Sequence, residues 1–560
     1  MLPVRARTPH YLRLLFALVV VAIVVERLHA LLHAGPTDFD DAYMYLRYAH
    51  NALAGHWLAW NPGEAPVYGV TSLLHFLLVT LISGLLPGQH AAILQIASGA
   101  VAFLLLSTLA ALCARFCQEP RLRGNYLLWG ALLLPLLCYR EVFFFHAHAG
   151  MDTMLAALAN TLVVFVSLWL AEKPSSVRAL AAAAVGLLAI EARPDNVIVA
   201  ALCPLLALLL LAPAPRLRPL LLWASTLGGL VLLDLTLKWR FLGTPLPLAF
   251  YAKQPWYYRG FVGEFTWNPF LFLEVALATV SPFLVALVLF SRWASARLLL
   301  VLLIPAIVTC AALFSVNQIM GHLGRFYFPS LPLFVVAGAL LADRWVQVLP
   351  DAFASSEEGP SRLARSLLLR LACALLALVA GARALEAAGR AYESRAQTQA
   401  LAPLDGYRVS AAAPLPELDS WQSSHEIARL AAESPPGTTF AMSEHGLVGA
   451  CAPRVVIIDM LGLHDSIFAR SGFSAAELWR RQPDVIWMPH PDHTQMLRDI
   501  LDSDELWQHY VFYPDAFSYG VALRQDGPHS AILADLFAKH WQAAFPGLRQ
   551  DRYVASQSRR

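Results

Sequence analysis

Three acidic residues stand together in the segment 33–69, which reads HAGPTDFDDAYMYLRYAHNALAGHWLAWNPGEAPVYG. They are Asp38, Asp40 and Asp41, and the last two open an amphipathic helix predicted over 40–54. A carboxylate can remove the proton of a sugar hydroxyl as it attacks an anomeric carbon, or hold a divalent cation against a phosphate. Acids at a helix start also cap it and complement its dipole, so both interpretations stay open on the sequence alone.

Basic, aromatic and imidazole side chains gather in four further segments that separate apolar runs. Arginine and lysine can bind a phosphate directly, and aromatic rings can pack against sugar faces. The segments are 139–150 (YREVFFFHAHAG), the turn 191–195, 239–269 and 315–325 (SVNQIMGHLGR). Their candidate side chains are Arg140, Glu141, His146, His148, Arg193, Asp195, Lys253, His322 and Arg325.

Two patterns that suggest a metal or a hydrolase are weak. The spacing of His146 and His148 is typical of one face of a strand, and no third ligand is identifiable, so no metal ligands are assigned. Ser443, His445 and Asp459 have the residue types of a catalytic triad, but no Gly-x-Ser-x-Gly turn precedes them. We therefore expect no second catalytic centre. No cofactor is implied with certainty, and a divalent cation is the one candidate.

The amino-acid composition indicates that most of the chain lies in a membrane, which must therefore position these side chains. Of the 560 residues, 58% are hydrophobic and 14% are charged, whereas a soluble domain is about 25% charged. The bilayer must therefore be the solvent for most of the chain. The net charge of +2 gives no reason to expect nucleic acid as a partner, and the seven cysteines, an odd number, predict no disulfide framework.

Twelve apolar runs, some at the short end for a crossing helix, alternate with loops. They are roughly 11–32, 70–86, 91–113, 124–138, 151–171, 177–191, 195–213, 219–238, 270–291, 297–314, 325–342 and 366–388. Arginine and lysine in five alternate loops place those loops in the cytoplasm. With 70–86 re-entrant or interfacial, the chain crosses about eleven times, N-terminus inside and C-terminus outside. Twelve crossings with one basic loop outside remain the alternative.

This orientation places the segments 33–69, 139–150, 239–269 and 315–325 on the outer face. Domain 1–390 is then the transmembrane part, and 391–560 is an extracytoplasmic α/β domain. The runs 454–459 (RVVIID) and 484–488 (DVIWM) predict strands, and 423–432 and 475–481 predict helices. The segment 351–365 is expected to be a flexible cytoplasmic connection.

Several short motifs, in a shared order, resemble the GT-C superfamily of polyprenyl-phosphate-sugar glycosyltransferases, and within it the group similar to the mycobacterial terminal β-(1→2) arabinofuranosyltransferase. The motifs are Asp40-Asp41-Ala42-Tyr43-x-x-x-Arg47-Tyr48-Ala49-x-Asn51-x-x-x-Gly55, Asn61-Pro62-Gly63-Glu64, Gly150-Met151-Asp152-Thr153, Arg193-Pro194-Asp195, Leu246-Pro247 with Tyr251-Ala-Lys253, Arg325-Phe326 before Pro329, and Gly462-Leu463-x-Asp465. Two departures are Tyr68-Gly69-Val70-Thr71, where the family often has Glu-Gly-Tyr-Thr, and Gly321-His322-Leu323-Gly324, where it usually has Gly-Gly-Asp-Trp.

The resemblance implies transfer of a sugar, with arabinofuranose as the leading candidate, from a polyprenyl-phosphate donor to a glycan or protein acceptor at the outer face of the bacterial cytoplasmic membrane. It implies that Asp40 and Asp41 are the catalytic acids, without separating their roles. The substrate-binding residues that it suggests are Tyr43, Arg47, Glu64, Tyr68, His146, Asp152, Arg193, Lys253, His322 and Arg325.

Two other functions are compatible with a polytopic protein of this composition. A lipid-linked-sugar transporter or flippase usually carries a network of acids and bases at the membrane midplane, or two half-repeats with broken helices. Neither pattern is visible in the sequence. A non-catalytic assembly protein would use 391–560 to bind a glycan, and its binding would survive replacement of Asp41.

Overall fold

The structure of the protein is a computed structural model that describes residues 10–557, except 121, 214–215, 254–267, 291–294, 315–320, 355–359, 399–406, 410 and 412–413. It divides into two compact units. The first unit comprises Met1–Thr37, Gln95–Leu233 and Phe265–Glu393. The second comprises Asp38–Leu94, Asp234–Glu264 and Ser394–Arg560.

Fifteen α-helices precede the first described strand. They are α1 His10–His33, α2 Asp40–Leu53, α3 Leu73–Leu85, α4 His90–Phe116, α5 Tyr126–Cys138, α6 Glu141–His148, α7 Thr153–Glu172, α8 Ser176–Ala192, α9 Val197–Leu210, α10 Leu217–Leu242, α11 Leu248–Ala252, α12 Pro269–Phe290, α13 Ala296–Leu313, α14 Leu331–Ala354 and α15 Pro360–Thr398. Short 3₁₀ turns lie at Pro194–Asn196, His322–Gly324 and Phe328–Ser330.

Strands and helices alternate in the C-terminal part. They are β1 Tyr407–Val409, α16 Ser420–Glu433, β2 Thr439–Met442, α17 Gly446–Cys451, β3 Val456–Asp459, α18 Ser466–Ser471, α19 Ala475–Arg481, β4 Val485–Trp487, α20 Thr494–Leu501, α21 Asp504–His509, β5 Tyr510–Tyr513, β6 Val521–Arg524, α22 Ser530–Ala544 and β7 Ala555–Gln557.

The first unit is a helical assembly built around α7. This helix packs against α8, α9 and α14, while α12 packs against α14 and α1 against α5. Small residues let the helices approach: Ala179, Ala182 and Ala183 of α8 are buried in one apolar cluster. Helix α8 ends at Ala192 because Pro194 forces the preceding residue into an extended conformation. The predicted helix break at Pro194 is confirmed.

Within the described residues, eight helices are long and apolar enough to cross a membrane, or nine if α5 and α6, bent by 90°, form one span. About eleven crossings were predicted, and the difference lies in the short apolar helices. Helix α8 has 17 residues and α9 has 14, near or below the lower limit for a crossing helix. Helix α3 has 13 residues, which span about 20 Å, so its length fits a segment that does not cross.

The second unit contains a five-stranded sheet of order β3-β2-β4-β6-β5. Strands β2, β3 and β4 are parallel, and β6 and β5 join them antiparallel. Helix α2 packs against α3 and α17, and α16 packs against α17 and α22. The predicted strands at 454–459 and 484–488 are confirmed as β3 and β4, and the predicted helices at 40–54, 423–432 and 475–481 are confirmed as α2, α16 and α19.

One local prediction is wrong: the segment 139–150 was expected to be a loop with a strand-like His-x-His, but Glu141–His148 is helical. The connection expected at 351–365 is helical at its two ends, since α14 continues to Ala354 and α15 begins at Pro360, and its flexibility stays a prediction. Residues 355–359 lie outside the described part of the chain. The domain boundary at 390 stays a prediction, since the second unit also includes earlier segments.

Candidate functional site

Asp40 of the second unit is held by backbone donors from a distant part of the chain. Its Oδ2 accepts a hydrogen bond from the N–H of Gly446 at 2.7 Å, and its Oδ1 accepts one from the N–H of Leu447 at 2.8 Å. The side chain of Phe39, at the N-cap of α2, makes no capping hydrogen bond. Asp40 therefore does not act as a cap of α2, because its carboxylate accepts hydrogen bonds from the first two backbone N–H groups of α17.

The parallel strands bring further acids and imidazoles to one edge of the sheet. Glu444 and His445 follow β2, Asp459 ends β3 and precedes His464, and Asp492 follows β4. The carboxyl ends of parallel strands meet at the same edge, which is the usual ligand-binding edge of such sheets. Sequence reasoning missed Glu444, His464 and Asp492. The polar residues directly after the predicted strand 484–488 were a signal that could have indicated this edge.

Burial shifts the pKa values of acidic side chains at this edge of the sheet. Desolvation raises the pKa of Asp40, opposed by the nearby His445 and by the two backbone hydrogen bonds. Desolvation, followed by repulsion from Asp40 and Asp41, raises the pKa of Glu444 to about 8. Burial therefore favours the protonated form of both Asp40 and Glu444.

Arg47 lies on α2 and is completely buried. Its Nε donates to the carbonyl of Trp60 at 2.7 Å, and Nη2 donates to Asn61 Oδ1 at 2.8 Å and to the carbonyl of Val455 at 2.9 Å. Its Nη1 donates to the carbonyls of Gly449 and Ala452. The predicted role of Arg47 in substrate binding stays a prediction. The contacts themselves are those of a residue that joins α2 to the C-terminal strands.

The remaining predicted residues of the second unit are Tyr43, Tyr68, Glu64 and Lys253. Tyr43 is buried, with its ring centroid 5.8 Å from that of Trp421. Tyr68 is buried; its carbonyl accepts from the N–H of Leu248 at 2.7 Å. Glu64 is exposed and accepts from Asn61 Nδ2 at 3.0 Å. Lys253 is half-buried directly after α11, and the rest of its predicted loop, 254–267, lies outside the described residues.

In the first unit the predicted residues Asp152, Arg193 and Arg325 come together with Asp195. Arg193 Nε lies 2.9 Å from Asp195 Oδ1, and Arg325 Nη2 lies 3.7 Å from Asp152 Oδ1. Both guanidinium groups lie against the ring of Phe326, at 4.9 Å and 5.7 Å from its centroid. The side chains of Arg193 and Arg325 are less than a tenth exposed. Two cations held this close are a candidate binding site for a phosphate.

His146 and His322 lie beside the same turn. His146 is buried, and its Nε2 is 3.2 Å from the carbonyl oxygen of Leu323. Leu323 has φ 47° and ψ 38°, a left-handed conformation that is unfavourable for leucine and often marks a functional site. His148 instead contacts the carbonyl of Gly35 at 2.9 Å. On one helix, two residues apart, the histidines point in different directions and do not form a metal pair.

A comparison with protein-family models gives no match, and neither does a comparison with curated proteins. Solved structures do match. ArnT from Cupriavidus metallidurans in the apo state is 15% identical with a TM-score of 0.51, and the match covers 90% of this chain and 97% of that chain. The archaeal oligosaccharyltransferase AglB from Archaeoglobus fulgidus, in complex with an inhibitory peptide and a dolichol-phosphate, is 12% identical with a TM-score of 0.50, covering 93% and 75%.

At these identities the likeness shows the fold. The chain is a polytopic α-helical membrane protein with a C-terminal α/β region, as the sequence predicted, and it shares its fold with ArnT and AglB. Both matches extend over nine tenths or more of this chain, so they include both compact units.

Proposed function

We propose that the protein is a membrane glycosyltransferase that moves a sugar from a polyprenyl-phosphate donor to a glycan or protein acceptor. Its fold is shared with an oligosaccharyltransferase whose structure holds a dolichol-phosphate and a peptide. The observation that carries the proposal is the pair of buried guanidinium groups, Arg193 and Arg325, on a chain of this fold. Each guanidinium lies near an aspartate, at 2.9 Å from Asp195 and 3.7 Å from Asp152, and buried ionisable residues in a membrane protein are functional candidates by default.

In the proposed reaction the oxygen of an acceptor hydroxyl attacks the anomeric carbon of the donor sugar. The bond from that carbon to the phosphate oxygen breaks, and polyprenyl phosphate leaves with the electron pair. Asp41 accepts the hydroxyl proton as general base. In the first unit, Arg193 and Arg325 are proposed as binders of a phosphate oxygen. The remaining substrate-binding residues predicted from the sequence stay part of the proposal.

The two aspartates receive different roles in this proposal. Both carboxylate oxygens of Asp40 already accept backbone N–H groups, so this carboxylate is engaged in joining the start of α2 to the start of α17. We therefore assign proton transfer to Asp41 and the placement of the α2 start to Asp40. Arabinofuranose is the proposed donor sugar on the motif resemblance, and a divalent cation is a further candidate at the acids.

We place the reaction on the outer face of the bacterial cytoplasmic membrane. The N-terminus is then cytoplasmic and residues 391–560 are extracytoplasmic. The distribution of arginine and lysine among the loops supports this orientation. Access of a membrane-impermeant thiol reagent to single cysteines introduced near residues 10 and 526 in intact cells would test it. Labelling at 10 rather than at 526 would reverse the orientation.

The function is tested by incubating the purified full-length protein with short-chain polyprenyl-phosphate sugars and following release of polyprenyl phosphate. We expect turnover with the arabinofuranose donor. Arg325→Gln should raise KM for the donor about tenfold or more, because a charge-assisted contact to phosphate is lost. Turnover only with another sugar donor would exclude arabinofuranose as the donor sugar. It would still support a polyprenyl-phosphate-dependent glycosyltransferase. No consumption of any lipid-linked sugar would contradict the proposal.

The close contact between Gly446 and Asp40 predicts that a glycine at 446 is needed to position the start of α2. A Cβ at Gly446 would lie 2.0 Å from the carbonyl oxygen of Asp40 and 2.8 Å from its Oδ2. Gly446→Ala must therefore push the start of α2 away, and we expect kcat to fall about 10²-fold with about 1–3 kcal/mol of destabilisation. Gly437→Ala, at a site with nothing within 4 Å but a positive φ of 83°, is the control: it costs stability and leaves kcat unchanged. Equal kcat in both variants would refute the positioning role.

A further inference from the structure

Two imidazoles and a carboxylate converge inside the second unit, where the proposed reaction does not use them. His445, Asp459 and His464 each place one potential ligand atom within 4.8 Å of the others. Their relative exposures are 0%, 0% and 4%. They come from the carboxyl ends of β2 and β3, so the sheet fixes their separation.

The tautomer of the neutral His445 ring is set by its own backbone surroundings. Its Nδ1 lies 2.7 Å from the carbonyl oxygen of Ser443, and a carbonyl can only accept, so Nδ1 carries the hydrogen. The lone pair is then on Nε2. Among the residues that the structure describes, this completely buried nitrogen has no hydrogen-bond partner. Metal-binding histidines commonly donate their other N–H to a backbone carbonyl in this way.

Backbone N–H donors orient the carboxylate of Asp459, and its oxygens keep lone pairs that can bind a further ligand. The N–H of Leu461 donates to Oδ1 at 2.8 Å, and the N–H of His464 donates to Oδ2 at 2.6 Å. Each oxygen of a carboxylate has two lone pairs. The distance from Oδ1 to His445 Nδ1 is 3.8 Å, too long for a hydrogen bond. The carboxylate is thus buried beside two imidazoles without a direct hydrogen bond to His445.

The ring of His464 is held in place on both sides. It stacks on Trp60 with centroids 4.0 Å apart and planes 12° apart. Its Nδ1 lies 3.0 Å from the hydroxyl of Tyr48, and its Nε2 lies 3.0 Å from Met44 Sδ. Both ring nitrogens thus have a neighbour. Met44 Sδ is only a weak acceptor, so a ligand that binds Nε2 displaces the weaker of the two contacts. Packing of this kind preorganises a ligand.

We propose that His445, Asp459 and His464 supply three ligands of a Zn²⁺ site, which leaves one tetrahedral position open. Two imidazoles and one carboxylate are a donor set that zinc takes, with bonds of about 2.0–2.2 Å. Ligand atoms on a tetrahedral ion lie about 3.3 Å apart, so binding draws the three side chains inward. The ion satisfies the Nε2 of His445 and neutralises the buried carboxylate. Hard cations such as Mg²⁺ prefer oxygen ligands and fit this set poorly.

The site has a structural consequence for α2. Met44 and Tyr48, which contact His464, belong to α2, and His445 directly precedes the Gly446 that holds Asp40. Zinc would therefore fix α2 against the ends of β2 and β3. This inference does not depend on the proposed sugar transfer, since metal content and stability are measured without any substrate.

The test is to expose purified full-length protein in detergent to ZnCl₂, remove unbound metal by gel filtration, and measure zinc by mass spectrometry. We expect about one zinc per chain in the wild type, and loss of it in His445→Gln. His75→Gln is the matched control, because His75 is equally buried in this unit at 1% exposure and lies outside the cluster. Retention of zinc by His445→Gln, or its absence from the wild type, would overturn the proposal.

Thermal unfolding gives a second measurement in case a variant folds poorly. We expect Zn²⁺ to raise the Tm of the wild type by about 5 °C, a zinc chelator to reverse this, and Mg²⁺ to have no effect. In His445→Gln the Tm should not respond to zinc. A wild-type Tm unchanged by zinc and by the chelator would refute the site whatever the variants do.

Discussion

Asp41→Asn is expected to lower kcat for sugar transfer by about 10³-fold or more, with the Tm and the affinity for the lipid donor nearly unchanged. General base catalysis contributes about 10²–10⁴-fold, and asparagine, nearly the same size, cannot accept the proton. Asp41 is half-buried at the start of α2, and its charge raises the pKa values of Asp40 and Glu444. The measurement is turnover of the donor with saturating acceptor.

Asp38→Asn is the matched control, because Asp38 is an exposed acid three residues earlier in the chain. Its turnover should stay within about twofold of the wild type, since screened surface charges have small effects. If Asp38→Asn and Asp41→Asn lose activity equally, the effect is one of local charge. Asp41 would then have no specific role as a base.

Asp40→Asn should behave differently from Asp41→Asn. An amide can accept from only one of the two backbone N–H groups, and its NH₂ would face the other donor. We expect this variant to lose stability, by about 1–3 kcal/mol, together with activity. If Asp40→Asn has a normal Tm but no turnover, and Asp41→Asn is active, then Asp40 is the base and Asp41 is not.

The predictable part of this fold depended on local patterns. Apolar runs predicted most spans, Pro194 predicted a helix end, and β-branched runs predicted β3 and β4. The acids at the start of α2 also predicted its first turn. Each of these signals acts within a few residues, and a single sequence displays such signals directly.

What could not be predicted depends on contacts between remote residues. Asp40 and Gly446 are 406 positions apart, and nothing in either segment indicates the other. The expectation of a loop at 139–150 was wrong because a spacing of two residues does not distinguish one face of an extended segment from two faces of a short helix. Arg193 and Arg325 were recognised only as separate basic residues, whereas the fold places both against Phe326.

Arg47→Met is expected to destabilise the second unit by about 3–5 kcal/mol. The methionine keeps the apolar stem but removes five hydrogen bonds to buried oxygens, four of them backbone carbonyls of Trp60, Gly449, Ala452 and Val455. Trp60 O, Ala452 O and Asn61 Oδ1 each keep one other donor. Buried acceptors that lose their donors cost about 1–3 kcal/mol each before relaxation. Thermal unfolding of the full-length protein, and faster proteolysis within 394–560, should both report the loss.

Arg480→Met supplies the control, because Arg480 is exposed and pairs with Glu477 on the surface. We expect its stability to change by less than about 0.5 kcal/mol. An Arg47→Met protein as stable as Arg480→Met would show that the hydrogen bonds of Arg47 are not what holds α2 to the C-terminal strands.

Lysine at position 47 separates the structural role from the predicted substrate-binding role. Burial lowers the pKa of Arg47 to about 10, and its five hydrogen bonds run to neutral oxygens in a planar fork that lysine cannot reproduce. If Arg47 is structural, Arg47→Lys loses stability almost as Arg47→Met does, and the KM for the donor changes only as the folded fraction falls. If Arg47 binds the donor phosphate, lysine preserves the charge, the Tm stays near the wild-type value, and Arg47→Met raises KM selectively. The geometry favours the first result, since a guanidinium with all five N–H groups satisfied by protein has no donor left for a phosphate.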